Sequence, residues 1–575
     1  MKSKYMERYN QWCALADSAT KAELSEIAND KNEIEERFYK NLEFGTAGLR
    51  GILGAGTNRM NIYTVRRATQ GLASYILQKG ETALKRGVAI SYDCRHYSKE
   101  FAWEAACVLA ANGIRVFIYA EMQPTPALSF AVRHLKTISG IMITASHNPA
   151  KYNGYKVYGE DGAQMNTQDS ATVLSFIEET DIFTGVRCMD MQSAKDSGLV
   201  QVIGEDVLAP YLTAVKNCIQ NPDAIREMKD DLKIVYTPFH GTGYKPVMRV
   251  LSEVGFSKVF PVAEQAVKDP NFSTVKSPNP EDPEGFAMAI SLAEEKEADI
   301  IIGTDPDSDR IGVLCKTNDG YFVLNGNQTG VLLTEYILSQ KKETGLKKED
   351  YIVSTIVSTN MLEPIANAYG VKLYRVYTGF KFIAGIIKDH EANPDGGDYL
   401  FGFEESYGYL PGSYARDKDA VSAALLVCEA AAFYKKQGKT LLDALCDIQE
   451  KYGYYLENTD SLYMEGIDGM ERMSSLLAKV SENPFRNIGD MDVVAFRNYK
   501  EGFRLDYQTG KKETLDYEPS NVLYFELSDG GFFILRPSGT EPKIKLYSSV
   551  VGNSAEDSKQ KLEKLKQAYT DLLAE

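Results

Sequence analysis

The 575-residue chain offers little that could cross a bilayer, pair cysteines or attract a polyanion. Its most apolar helical stretch, AVSAALLVCEAAAF (420–433), contains Glu429 and is too short to span a membrane, so a buried helix is expected. The N-terminal MKSKYMERYNQWCALADSAT is charged and amphipathic and carries no apolar signal core. Eight cysteines (13, 94, 107, 188, 218, 315, 428 and 446) are scattered with no CxxC pair, which points to a reduced, cytoplasmic protein. The formal net charge of −16 argues against nucleic-acid and anionic-membrane partners. An anionic substrate would need cations concentrated at its site.

Charged residues make up 25% and hydrophobic ones 44%, ordinary for globular chains, and the length suggests roughly three to five domains. Periodicity predicts a helix over 62–79, a strand at VAISYD (88–93) and a helix over 98–113. RVFIYA then reads as a strand, TPALSFAVRHL as a helix and GIMIT as a strand. This alternation argues for βαβ units and restarts twice. KIVYTP leads to a helix near 245–254 and then to ADIIIGTDPDSDR; YIVSTIVSTNMLEPIANAYGVKLYRVYTGF leads to DYLFGFEESYGY. The predicted fold is three similar α/β domains with mixed, mostly parallel sheets, plus a C-terminal α+β domain, around a central cleft. Expected boundaries are 1–205, 206–316, 317–437 and 438–575, with a linker helix over 438–452 and a charged helix over 554–574.

Each α/β unit thus ends with an apolar strand running into an unusual polar loop, where ligands of α/β sheets bind. In ITASHNPAKYNGYKVYGEDG (143–162), Ser146, His147 and Asn148 follow a buried strand; an ordinary turn accounts for the same residues. Asp305, Asp307 and Asp309 alternate, so in an extended segment all three face one hard cation. A calcium EF-hand fails, because Arg310 and Lys316 stand where glycine and glutamate are required. Magnesium holding a phosphate oxygen fits such carboxylates; a capping or solvated turn is the alternative, although three crowded carboxylates would repel one another without a cation. GTAGLRGILGAG (45–56) lacks the dinucleotide order of glycines and reads either as an amide nest with Arg50 or as a tight turn. LRPSGTEPKIKLY (535–547) brings Arg536, Ser538, Gly539, Thr540 and Lys545 into one hairpin, either a phosphate cradle or plain hairpin chemistry. Glu404 and Glu405 are adjacent, point apart and cannot flank one glycosidic bond; Glu404 and Ser406 suit sugar hydroxyls, with a solvated loop as the alternative.

Assembled in this order, the motifs resemble those of the α-D-phosphohexomutase family, close to its phosphoglucomutases, over nearly the whole chain. TASHNP resembles the phosphoserine loop, DPDSDR the magnesium loop, GFEESYGY the sugar loop and RPSGTEP the phosphate loop; GTAGLRG, TGFKF (378–382) and the lysine of NGYK also match. The resemblance implies an isomerase that exchanges glucose 1-phosphate and glucose 6-phosphate through phosphorylated Ser146 and glucose 1,6-bisphosphate. One Mg²⁺ per chain would be held by Ser146, Asp305, Asp307 and Asp309. Arg50, His147 and Arg310 would help to neutralise the moving group, and Lys156 would do acid–base work with a pKa depressed by cations such as Arg50. Thr378, Gly379, Lys381, Glu404 and Ser406 would meet the sugar, and the 536–545 loop the second phosphate. Some members carry a histidine just after the sugar loop's serine; here Tyr407, Gly408 and Tyr409 follow Ser406, which leaves the base of each half-reaction open. Mannose and pentose phosphates remain alternative substrates, and a non-catalytic sugar-phosphate sensor a remote one. The expected partners are small sugar phosphates, and the expected state a monomer or weak dimer.

Overall fold

A computed structural model describes residues 2–45, 48–393, 395–464, 469–538 and 543–574. The chain divides into two compact units, Met1–Ser354 with Thr378–Leu442, and Thr355–Tyr377 with Asp443–Glu575.

In the first unit, Val88–Tyr92 lies between Ser139–Ile143 and Val116–Tyr119, all parallel, and Val200–Ile203 extends that edge. Both faces of these strands are buried, so their sequences are continuously apolar rather than alternating. The two-residue period still sorts them. Val88, Ile90, Val116, Ile118, Ile141 and Ile143 join one core, while Ala89, Phe117, Tyr119 and Met142 join the core on the opposite face. Helices Ile62–Gln78, Ser98–Ala111 and Thr125–His134 supply much of the packing.

The two further sheets of this unit repeat one device. Ile300–Thr304 pairs in parallel with Ile234–Thr237, and Tyr399–Glu404 with Tyr351–Thr355. In each sheet the strand that leads into the polar loop pairs antiparallel with the strand that leaves it. Ser139–Ile143 pairs with Tyr152–Gly159, Ile300–Thr304 with Ile311–Thr317, and Tyr399–Glu404 with Gly408–Leu410. Each loop is therefore clamped at both ends by ladder hydrogen bonds. The sheets are mixed for this reason: parallel pairing builds their centres, and the return strand adds an antiparallel pair. Ala420–Lys436 is a helix buried through Ala432, as its composition predicts.

The second unit is an antiparallel sheet running from Tyr454–Tyr463 through Lys543–Gly552, Phe532–Pro537 and Leu523–Leu527 to Met491–Asn498 and beyond. Helices Gly469–Glu482 and Ala555–Ala574 contribute Met473, Leu477, Leu565 and Tyr569 to one core. Ile356, Val357 and Tyr377 pack with Tyr499, Val522 and Tyr524 in a separate cluster. Thr355–Tyr377 thus belongs with the C-terminal residues in this compact unit. The helix expected over 438–452 forms at Leu441–Tyr452.

Candidate active site

The three polar loops of the first unit meet. Ser146 Oγ donates to Asp305 Oδ2 at 2.8 Å and lies 3.2 Å from His147 Nδ1. Lys156, on the return strand, donates to Asp307 Oδ2 at 2.8 Å and lies 3.6 Å from Asp309 Oδ2. Thr125, at the start of a helix, donates both its N–H and its hydroxyl to Asp307. The Tyr407 carbonyl of the GFEESYGY loop accepts the Ile311 N–H at 3.0 Å. These bonds join segments far apart in sequence around one carboxylate cluster.

The backbone of each loop carries one non-glycine residue in the left-handed region: Ser146 at φ 51°, Ser308 at φ 52° and Tyr407 at φ 66°. Such conformations cost about 1–3 kcal/mol each and persist where the surroundings over-determine them. Close backbone approach also selects glycine nearby. A Cβ on Gly154 would come within 2.5 Å of the Thr144 carbonyl oxygen, and one on Gly326 within 1.9 Å of the Glu405 carbonyl oxygen.

Asp305, Asp307 and Asp309 are buried, and each offers a carboxylate oxygen within 4.8 Å of the others. Asp307 Oδ1 and Asp309 Oδ1 are buried without a hydrogen-bond partner. Three clustered carboxylates, two of them with an unpartnered oxygen, form a donor set for a hard cation with oxygen ligands, and the set contains no sulfur or imidazole. Burial and the like charges of Asp307 and Asp309 push the Asp305 carboxyl well above its usual range. Burial also works against the charge of Asp307, yet the Lys156 ammonium holds that carboxyl far below the ordinary value.

The state of Lys156 differs from the sequence expectation. Its pKa is raised, not depressed: burial disfavours the ammonium, but Asp307 and Asp309 outweigh it. Arg50 does not approach Lys156 as a hydrogen-bonding neighbour; it is exposed and donates to Asn148 Oδ1 at 3.0 Å. His147 is held well below the usual histidine pKa, by burial first and then by Arg310 and Arg50. It is therefore neutral near pH 7. Arg310 pairs with Glu281, and its Nε lies 3.8 Å from Asp309 Oδ1.

In the GFEESYGY loop, Glu404 is buried and its Oε1 accepts the Gly379 N–H at 2.6 Å, which joins that loop to the TGFKF segment. Thr378, Lys381 and Ser406 are partly exposed, and Lys381 Nζ lies 5.2 Å from the centroid of the Phe382 ring. In the second unit Arg536 and Lys545 stand directly opposite each other on paired strands, and Ser538 N–H donates to the Lys543 carbonyl at 2.8 Å. Like charges facing across a strand pair repel, which suits an anion between them. Gly539 and Thr540, with Thr46 and Ala47 of GTAGLRG, lie outside the described residues.

Several participants escaped sequence reasoning. Lys418 Nζ lies 3.2 Å from Asp309 Oδ2 and 3.0 Å from Asp417 Oδ1, and the other oxygen of Asp417 accepts the Tyr158 hydroxyl at 2.8 Å. The charge cluster ARDKD (415–419), set before an apolar helix, was its only signal. Asp93 and Arg95, in DCRHYS, were also missed. Their signal was position, because they follow Val88–Tyr92 at the carboxyl end of a parallel strand.

Known proteins resemble this chain over most of its length. Models of the phosphoglucomutase/phosphomannomutase α/β/α domains I, II and III match residues 41–182, 209–320 and 325–452. A phosphoglucomutase of Staphylococcus aureus is 38% identical over 537 residues, covering 92% of this chain and 93% of its own. One from Staphylococcus haemolyticus is 37% identical over 521 residues, covering 90% and 91%. Among solved structures, a putative phosphomannomutase from Thermus thermophilus superposes with a TM-score of 0.67 at 21% identity, covering 93% of this chain and all of the other. Parafusin from Paramecium, in its open form, gives 0.67 at 16% identity, covering 93% and 96%; at such identities these two speak for the fold alone. With sequence match, fold and the meeting of three strand-end loops in agreement, the chain belongs to the phosphoglucomutase/phosphomannomutase family of α-D-phosphohexomutases.

Proposed function

We propose that the chain interconverts glucose 1-phosphate and glucose 6-phosphate through a phosphorylated Ser146 and glucose 1,6-bisphosphate. The observation that carries this is the Ser146 hydroxyl, 2.8 Å from Asp305 within the three-carboxylate cluster. In one half-reaction the sugar hydroxyl gives its proton to a base as its oxygen bonds the phosphorus. The bond from phosphorus to Ser146 Oγ breaks, and Oγ leaves with the electron pair and takes up a proton. The bisphosphate then turns, and its other phosphoryl group returns to Ser146 by the reverse steps.

Mg²⁺ held by Asp305, Asp307, Asp309 and an oxygen of phosphorylated Ser146 would supply neutralisation of charge on the transferring group. The chain's own groups do the rest. Arg50 and Arg310 add positive charge beside the loop, and neutral His147 presents Nδ1 to Ser146 Oγ. Lys156 begins as an ammonium ion, so it acts first as a proton donor; it can accept a proton only after it has given one up, which becomes easier once another cation engages Asp307 and Asp309. Glu404 and Ser406 bind sugar hydroxyls, with Thr378, Gly379 and Lys381 alongside, and Arg536, Ser538, Gly539, Thr540 and Lys545 anchor the phosphate that does not move. In this reading residues 1–205 carry the phosphoserine loop, 206–316 the metal loop, 317–437 the sugar loop and 438–575 the phosphate loop. Among the described residues no helix is long and apolar enough to cross a membrane. A cytoplasmic enzyme, monomeric or weakly dimeric, completes the proposal.

The test is direct. Intact mass and peptide mapping after incubation with glucose 1,6-bisphosphate should find one phosphoryl group on Ser146, and Ser146→Ala should lose nearly all glucose 1-phosphate turnover. Wild-type turnover in the alanine variant would overturn the mechanism. Parallel assays with mannose 1-phosphate and ribose 1-phosphate should give lower kcat/KM than glucose 1-phosphate.

A further inference from the structure

The phosphoserine turn has two backbone hydrogen bonds of its own, from the Asn148 N–H to the Ala145 carbonyl at 3.1 Å and from the Tyr152 N–H to the Pro149 carbonyl at 3.0 Å, and a further anchor in one side chain. Carbonyl oxygens of the turn converge on one buried guanidinium, Arg95, whose side chain has no solvent exposure. Arg95 Nη2 donates to the Ser146 carbonyl at 2.5 Å and to the Asn148 carbonyl, and Nη1 donates to those of Pro149 at 3.0 Å and Tyr152 at 3.1 Å. Asp93 fixes the guanidinium, with Oδ2 3.2 Å from Arg95 Nε and Oδ1 accepting the Arg95 N–H at 2.9 Å. Asp93 Oδ2 also accepts the Thr144 hydroxyl at 2.7 Å, and the Thr144 Oγ1 in turn accepts the Ser146 N–H at 2.8 Å. The Phe272 ring, 4.9 Å from the Arg95 Cζ, closes the remaining face.

We infer that Arg95 is a positioning residue for phosphoryl transfer: its guanidinium gathers the carbonyls of the 146–152 turn and so sets where Ser146 presents its oxygen. Two physical effects follow. Ser146 sits in the left-handed region (φ 51°), a conformation unfavourable for serine by itself, and the fork of Arg95 and the Thr144–Asp93 relay hold it there from both sides. The carbonyls are also the negative ends of the peptide dipoles. Turned onto a buried cation, they are kept from repelling the phosphoryl dianion, and the trans peptide sends the His147 N–H the opposite way from the Ser146 oxygen. Lysine cannot do this, because a point charge lacks the planar fork that reaches four acceptors.

This inference rests on the phosphoserine reading, and the experiment separates the two. Arg95→Lys and Arg95→Met are compared with wild type after phosphorylation by glucose 1,6-bisphosphate, with intact mass reporting phosphate on Ser146. Steady-state assay should show kcat down about 10–100-fold, the loss expected for one or more charge-assisted contacts, with KM for glucose 1-phosphate within about threefold. Arg95→Ala should recover turnover when millimolar guanidinium is added, at unchanged Tm, a rescue that a merely structural role would not give. If the methionine variant fails to fold, Thr144→Val probes the same relay and should lower kcat in the same sense. Should wild type carry no phosphate on Ser146, the phosphoserine reading fails; should wild type be phosphorylated while both Arg95 variants turn over normally, or guanidinium leave the alanine variant's turnover unchanged, the positioning role fails.

Discussion

Lys156→Met tests whether the carboxylate cluster is built around a cation that Lys156 replaces when no metal is bound. Lys156 Nζ stands 2.8 Å from Asp307 Oδ2 and 3.6 Å from Asp309 Oδ2, with only 12% of its side chain exposed. At an effective dielectric of about 20, these separations correspond to attractions of about 6 and 5 kcal/mol before desolvation is counted. Burial of the ammonium offsets several kcal/mol of that, and removing one partner of a buried pair typically costs about 3–5 kcal/mol. Lys418 remains beside Asp309, so the lower end, about 3 kcal/mol, is expected in EDTA. At about 2.1 cal/mol/K of unfolding entropy per residue, that lowers Tm by only a few degrees for a unit of this size. Saturating Mg²⁺ should then restore more than half of the loss, because a divalent ion takes up the charge that lysine left. Wild type should show a smaller Mg²⁺ shift, since the ion must first displace Lys156. Thermal unfolding in EDTA and in a Mg²⁺ titration measures both quantities without relying on turnover. Equal Mg²⁺ shifts in variant and wild type would refute the idea that Lys156 and the ion share those carboxylates.

The remaining expectations concern a buried acid and the sugar loop. Glu429 sits in the buried helix, where Oε1 accepts the N–H groups of Gln220 and Asn221 and the Tyr336 hydroxyl, while Oε2 has no partner. Burial raises its pKa to about 7. The folded state therefore keeps a proton that the unfolded state releases, so this residue's stabilising effect is complete below about pH 4.5 and is lost as pH rises to about 7, by about 3 kcal/mol in total. Glu429→Gln should abolish that decline and be the more stable protein above pH 7; denaturant midpoints that fall in parallel for both proteins would rule it out. Glu404→Ala should lower kcat/KM for glucose 1-phosphate about 10–100-fold, through the lost carboxylate contacts, while leaving Ser146 able to accept phosphate from bisphosphate. An unaltered kcat/KM would show that this loop does not meet the sugar.

Local patterns in the sequence determined the α/β alternation, the three strand-end loops, the buried helix at Ala420–Lys436 and the candidate residues Ser146, Asp305, Asp307 and Asp309. These were legible because helix and strand periods, and the spacing of alternate carboxylates, are properties of contiguous residues. Four motifs in order carried the family resemblance for the same reason. What a charge experiences is not a local property. That Lys156 is raised rather than depressed depends on carboxylates about 150 residues away. Arg95, Lys418 and Glu281 act through partners that folding brings near, the 146–152 turn, Asp309 and Arg310, so nothing in DCRHYS or ARDKD taken alone marks those contacts. Periodicity is written along the chain, whereas electrostatic environment and packing partner are set by pairs of segments whose meeting depends on the whole fold.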